Sequence, residues 1–228
     1  MTLTLHLVRH GRTEFNTRRL LQGWCDSPLT EDGLAGVRVT ADHLADVPFA
    51  AAYASPLGRT VATAREILVR HPGVPLSTEE GLKEYSFGEL EEQPEAEVWR
   101  RHDPRVFFGA VFDGTNPGFP GGEGARDFLA RVDSAFARIV EAHPDGHVLV
   151  VSHGVTLLMH LATVSLAAGQ GPLATPLPNA SVSRIAIGSA GARVVSVAVD
   201  PAGAGIPGGV APGWAFPAHQ REAPAVVA

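Results

Sequence analysis

Cysteine and lysine are almost missing from this 228-residue chain: Cys25 and Lys83 each stand alone. A single cysteine excludes an intramolecular disulfide framework and a cysteine-rich zinc site, and it fits a reducing compartment. Long apolar runs are missing too. No window approaches the ~20 apolar residues of a membrane-spanning helix. The stretch Leu3 to Val8 is too short, and too interrupted by His6, to be a secretory leader. The resulting expectation is a cytoplasmic protein with no membrane partner. An excess of positive charge is also lacking: the net charge is -6, which argues against nucleic acid as a partner. Because lysine is so scarce, the cations are nearly all arginine, whose planar fork grips phosphate or carboxylate through paired N–H groups. Local arginine clusters can therefore build an anion site inside an acidic protein.

Hydrophobic residues make up 45% of the sequence, enough for the core of one ordinary domain. The run Leu3 to Val8 reads as a buried strand ending at Arg9, His10 and Gly11. Thr30 reads as the N-cap of a helix that turns Leu34, Val37, Ala41, Leu44 and Ala45 inward. A short strand follows at 50–54, and Ser55 and Pro56 read as cap and first residue of a helix carrying Arg59 in its first turn. A further strand is expected near 74–77 and a helix over 128–140. The apolar strand at 147–152 ends in His153 and Gly154, and another helix follows. Two final strands, 182–187 and 193–199, are joined through Gly188 to Gly191. Strands alternating with helices predict an α/β fold, a three-layer α/β/α sandwich around a mostly parallel mixed sheet with an antiparallel edge. The domain is expected to span 1–199. Within it, 86–124 reads as a lid-like insertion rich in glycine and aromatics, with one short helix around 94–102. Residues 200–228 form a Pro/Gly/Ala-rich tail in which Trp214 and Phe216 are the large anchors.

Two strand ends thus deliver a histidine followed by glycine, His10 and His153. Alone, each is one strand-end histidine among ten. The surrounding sequence carries more. LVRHGRTEFN from Leu7 to Asn16 closely resembles the RHG motif of the histidine phosphatase superfamily, the group that includes the cofactor-dependent phosphoglycerate mutases. LQGWCDSPLT (21–30), SPLGRTVATA (55–64), LKEYSFGELE (82–91), FPGGE (119–123) and VSHG (151–154) resemble further family motifs in the same order, so the likeness covers roughly residues 3–199. The resemblance implies the phosphoglycerate mutase-like fold and makes His10 the nucleophile. It makes Arg9, Arg59 and His153 the phosphoryl clamp and Glu84 the proton donor. Asn16, Gln22 and Gly23 are implied as contacts to the phosphate or substrate. The residues alone do not separate Glu84 from Glu79, Glu80, Glu89, Glu91 and Glu92; the family pattern points to it. Arg12 stands where the family often has a carboxylate, and Gly124 replaces a hydroxyl residue usual after the Gly-Gly-Glu stretch.

These roles suit the chemistry. Fixed cations, here the two arginines and a protonated His153, stabilise the charge on a phosphoryl group in flight. A histidine beside arginines is favoured in the neutral form that attacks. The expected function is a phosphomonoester hydrolase working through a phosphohistidine on His10, acting on a small phosphorylated substrate, with no cofactor and no metal. The alternatives are a cofactor-dependent phosphoglycerate mutase and a non-catalytic phospholigand-binding regulatory protein. Mutases of the family tend to carry a longer, more basic insertion between the acid and the second histidine than the stretch present here. Phe107, Phe108, Phe112 and Phe119 either pack that insertion onto the core or line an apolar site. Oligomeric state is not readable from the sequence.

Overall fold

The computed structural model describes residues 2–173 and 175–203. β1 (Leu3–Arg9) is the expected first strand, and it is followed by a five-residue helix, α1 (Glu14–Arg18), in a segment where no element is expected from the sequence. The Thr13 hydroxyl caps α1 and Asn16 returns the bond to the Thr13 backbone, a reciprocal box that stabilises so short a helix. Thr30 caps α2 (Glu31–Leu44) through its hydroxyl, which accepts from the Gly33 N–H at 2.9 Å. Val37, Ala41 and Leu44 turn inward as expected, whereas Ala45 lies past the helix end and is exposed. β2 (Phe49–Ala54) leads to α3 (Gly58–Leu68), which starts later than its sequence suggests. Leu57 takes the cap position because the Ser55 hydroxyl is turned instead toward His153. β3 (Leu76–Thr78), α4 (Glu95–Arg101), α5 (Pro104–Phe112), α6 (Ala125–Ala142), β4 (Gly146–Ser152), α7 (Gly154–Ala167), β5 (Val182–Gly188) and β6 (Gly191–Val199) complete the chain.

The strands form one sheet in the order β3-β2-β4-β1-β5-β6. The first four are mutually parallel, and β5 and β6 add antiparallel at one edge. The two central strands are buried on both faces and their side chains alternate between them. Leu3, Leu5 and Leu7 with Val148 and Val150 pack into the larger core with α6 and α7. Val8 with Leu149 and Val151 packs against α2 and α3. That alternation produces the three layers. Truncating one of these fully buried leucines, Leu5→Ala for example, is worth about 3 kcal/mol of stability.

The segment 86–124 holds two helices rather than the single one expected. Asp103 caps α5 through the Arg105 N–H, and Pro104 occupies its first turn. Phe107, Phe108, Val111 and Phe112 fall on its inner side and are buried in the larger core. Phe107 stacks on Phe119 and meets Tyr85 edge-on. Most of these aromatics therefore hold the segment to the core. Among the described residues no helix is long and apolar enough to cross a membrane. Trp214 and Phe216 lie outside the described residues.

Candidate active site

Strand register brings the two histidines together. β1 pairs with β4 in parallel from Leu3↔Gly146 to Arg9↔Ser152, so the next residue on each strand is His10 and His153. The His10 N–H bonds the Ser152 carbonyl at 3.0 Å, and the two rings meet with centroids 5.3 Å apart. The third parallel strand, β2, ends beside them. Ala54 pairs with Val151, and the Ser55 hydroxyl lies 2.8 Å from His153 Nε2. Gly11 is required where the chain leaves β1, because a Cβ there would sit 2.6 Å from Val37 Cγ2.

His10 is buried, and its Nδ1 lies 2.8 Å from the Gly11 carbonyl. A carbonyl only accepts, so Nδ1 carries the proton and Nε2 keeps its lone pair. Burial first, then Arg59 and Arg9, hold its pKa well below the ordinary 6.5, against a small opposing pull from the Gly11 carbonyl. His153 is shifted the same way, by burial and then by Arg59, His10, Arg9 and Arg131. The direction of this shift runs against the protonated His153 expected from the sequence, and its open Nδ1 offers a hydrogen bond.

Arg59 is 1% exposed and is held by oxygen atoms of a single loop. One terminal nitrogen donates to the Cys25 carbonyl and to Asp26 Oδ1, at 2.8 and 3.0 Å, and the other donates to the Gly23 carbonyl at 2.7 Å. The loop is itself fixed by Glu91, whose carboxylate accepts from the Trp24, Cys25 and Phe87 N–H groups. Arg9 is tethered through the Leu177 carbonyl at 2.6 Å. The Nε of each arginine and Nδ1 of His153 are buried without a partner among the described residues. Buried donors left open in this way stand ready for an anion.

Glu84 is 6% exposed and is seated on the start of α7. Its Oε2 accepts from the Val155 N–H, and its Oε1 from the Thr156 N–H and hydroxyl and from its own neighbour, the Tyr85 N–H, all at 3.0–3.1 Å. Helix starts leave such N–H groups open, and α7 has no side-chain cap of its own. One helix start therefore places both Glu84 and His153. Arg131 holds the Glu84 segment from behind. It donates to the carbonyls of Gly81, Lys83 and Glu84 at 2.7–3.0 Å and pairs with Glu123 of the Gly-Gly-Glu stretch. Glu123 also accepts from the Ser86 N–H. Glu79 and Glu80 are instead paired on the surface with Arg138 and Lys83.

A cavity of about 240 Å³ opens over Arg9, His10 and Glu84, whereas Arg59 and His153 lie behind its lining. Arg9, His10, Asn16, Gln22, Glu84 and Asn179 give its polar end. Asn16 Oδ1 accepts from Asn179 Nδ2, and Asn179 also donates to the His10 carbonyl. Gln22 is fixed between Thr13 and Ser27. Gly23 does not line the cavity. Its carbonyl receives Arg59, and a Cβ there would come within 2.5 Å of the Tyr85 carbonyl. Arg12 is half-buried, and its carbonyl receives the Thr30 N–H. Sequence reading passed over Ser55, Thr156, Asn179, Arg131 and Glu95. Asn179 lies 169 positions from its partner at His10, and Arg131 sits in an amphipathic helix like any solvent-facing charge, so neither carries a local signal.

The family described as the histidine phosphatase superfamily (branch 1) matches residues 5–200. A Salmonella choleraesuis protein named "Probable phosphoglycerate mutase GpmB" is 33% identical over 190 residues, covering 80% of this chain and 84% of its own. The solved structure of YhfR from Bacillus stearothermophilus is similar at 31% identity and a TM-score of 0.74, covering 86% of this chain and 97% of its own. An alpha-ribazole phosphatase from Shigella flexneri is similar at 25% identity and a TM-score of 0.71, with 86% and 96% covered.

Proposed function

Since the chain belongs to the histidine phosphatase superfamily, we propose that it is a phosphomonoester hydrolase that carries the phosphoryl group on His10. One observation supports this most: a buried His10 with Nδ1 committed to the Gly11 carbonyl and its pKa held low, beside two arginines whose buried Nε donors are open. Nε2 of His10 attacks phosphorus as the ester P–O bond breaks, and Glu84 delivers its proton to the leaving oxygen. Water then attacks the phosphohistidine and gives a proton to Glu84. The N–P bond breaks, inorganic phosphate leaves, and His10 recovers its lone pair. Arg9 and Arg59 hold the phosphoryl oxygens through both displacements, His153 donates a hydrogen bond, and Asn16 and Gln22 border the bound phosphate. In this reading Gly23 acts by seating Arg59, residues 1–199 form the catalytic domain, and 86–124 is an insertion that contributes one wall of the site. The small phosphorylated substrate and a cytoplasmic setting are part of the same proposal.

A mutase would use the same phosphohistidine and return the group to a second hydroxyl of a bound phosphoglycerate, an activity named for the Salmonella relative. The two are separated by incubating the purified protein with 3-phosphoglycerate and with a panel of phosphomonoesters. Phosphate release across the panel, lost in His10→Ala, is the expected result. Isomerisation of 3-phosphoglycerate that outpaces phosphate release overturns the hydrolase reading.

A further inference from the structure

The two ends of the cavity differ in character. Beyond the polar floor its walls are apolar: Phe87, Trp99 and Phe108 from one side, Leu158 and Met159 of α7 from another, and Leu177 across from them. Phe87 and Phe108 are each at most 5% exposed, and Trp99 packs against Phe87 and Phe108 at 6.3 and 5.3 Å between centroids. This wall is preformed. Within it stands one carboxyl group, Glu95, at the start of α4. The nearest charges acting on it are Arg9, which belongs to the floor, and Arg19 at the rim. Burial raises its pKa above the ordinary carboxylate range against the pull of both arginines. Arg19 is exposed and its charge is screened by water, whereas Glu95 is half-buried.

A ligand held at the floor meets aromatic and aliphatic surface and, in the same cavity, the carboxyl acceptor of Glu95. We propose that the cavity takes the phosphoric monoester of an aromatic or comparably apolar alcohol bearing a hydrogen-bond donor, an amino or hydroxyl group, for Glu95, and that Glu95 turns away leaving groups that carry a carboxylate. This rests on the hydrolase reading and gives its substrate class. The chemistry is one of exclusion as much as attraction: a carboxylate on the leaving group would share the cavity with the half-buried Glu95. Phosphoglycerates, small and acidic, fit such a wall poorly.

The test uses one aromatic frame with different ends: phenyl phosphates bearing an aminomethyl, a hydroxymethyl or a carboxyl group at the meta or para position. Phosphate release is measured for the wild type and for Glu95→Gln. In parallel, the matching phenylphosphonates, which cannot be hydrolysed, are titrated by calorimetry. The expected result is a kcat/KM for the aminomethyl ester about tenfold or more above that for the carboxyl ester. The hydroxymethyl ester falls between them, and the aminomethyl-to-carboxyl ratio collapses toward one in Glu95→Gln. A wild-type ratio near one, or a ratio that Glu95→Gln leaves unchanged, overturns the assignment of Glu95. If no ester is hydrolysed while the phosphonates bind in the same ranking, the hydrolase reading fails and the subsite stands. If the phosphonates neither bind nor rank, the subsite falls as well.

Discussion

The floor and the wall of the cavity are built by opposite physics. The floor gathers charged and polar groups at the carboxyl ends of three parallel strands, where sheet register sets their positions to within a residue. Three of the polar groups there are held largely by backbone: Arg59 by Gly23 and Cys25, Glu84 by the start of α7, His10 by Gly11. The wall comes mainly from the segment 86–124 and from α7, and its side chains are held by aromatic packing. A change in the floor should therefore alter chemistry for every ester alike. A change in the wall should alter which ester is preferred.

The largest expected effect belongs to the floor. Arg59→Met removes a buried charge and leaves three oxygen acceptors of the 23–26 loop without it. Loss of about 10²-fold in kcat is expected for every ester, with a stability loss of about 3 kcal/mol by denaturant titration. An ester-dependent loss would erase the distinction between the two regions.

The sheet beneath the floor is also where acid sensitivity should arise. His6 is buried against Phe49 and His147, and its pKa is lowered to about 4, by burial first and then by His147, Arg184 and His43. Its folded pKa lies below the unfolded value of about 6.5, so the folded form binds fewer protons between the two. The contribution of His6 to stability is complete above pH 6.5 and declines as the pH falls toward 4. Between pH 6.5 and 5 this amounts to about 2 kcal/mol. His6→Gln should flatten the stability-pH curve by that amount over this window; an unchanged slope would place acid sensitivity elsewhere.

Smaller effects sharpen the boundary. Arg131→Met loosens the segment carrying Glu84 without touching the cavity, so kcat should fall about tenfold while KM moves less than twofold. A change confined to KM would mean that Arg131 does not act through Glu84. Trp99→Ala opens the wall. KM for naphthyl phosphate should rise about fivefold, the worth of one aromatic contact, and KM for glycerol phosphate should stay within twofold.

Much of the fold was legible in the sequence because its signals are local. Two-sided apolar strands, the Thr30 cap and the glycine turn at 188–191 all state their structure within a few residues. α1 escaped because five residues carry no helical period, and α5 because its aromatics read as much like loop anchors as like a helix face. The Asp103-Pro104 start was the available sign. The start of α3 was misplaced for a tertiary reason, since the Ser55 hydroxyl is drawn to a histidine 98 positions away. The site divides in the same manner. His10, Arg9, Arg59, Glu84 and His153 came from motif resemblance; sheet register brings His10 and His153 together, while α3 carries Arg59 and the start of α7 seats Glu84. Arg131, Asn179 and Glu95 act through partners that only folding supplies, and the burial that lowers the pKa of His153 is invisible in a sequence.

The central claim concerns a covalent bond at one atom. Rapid quench of the protein with a phosphate-labelled aryl ester, followed by peptide mapping under alkaline conditions, should find one acid-labile phosphoryl group per chain, on His10, absent in His10→Ala. Turnover that proceeds with no phosphohistidine, or with the label on His153 instead, would contradict the account.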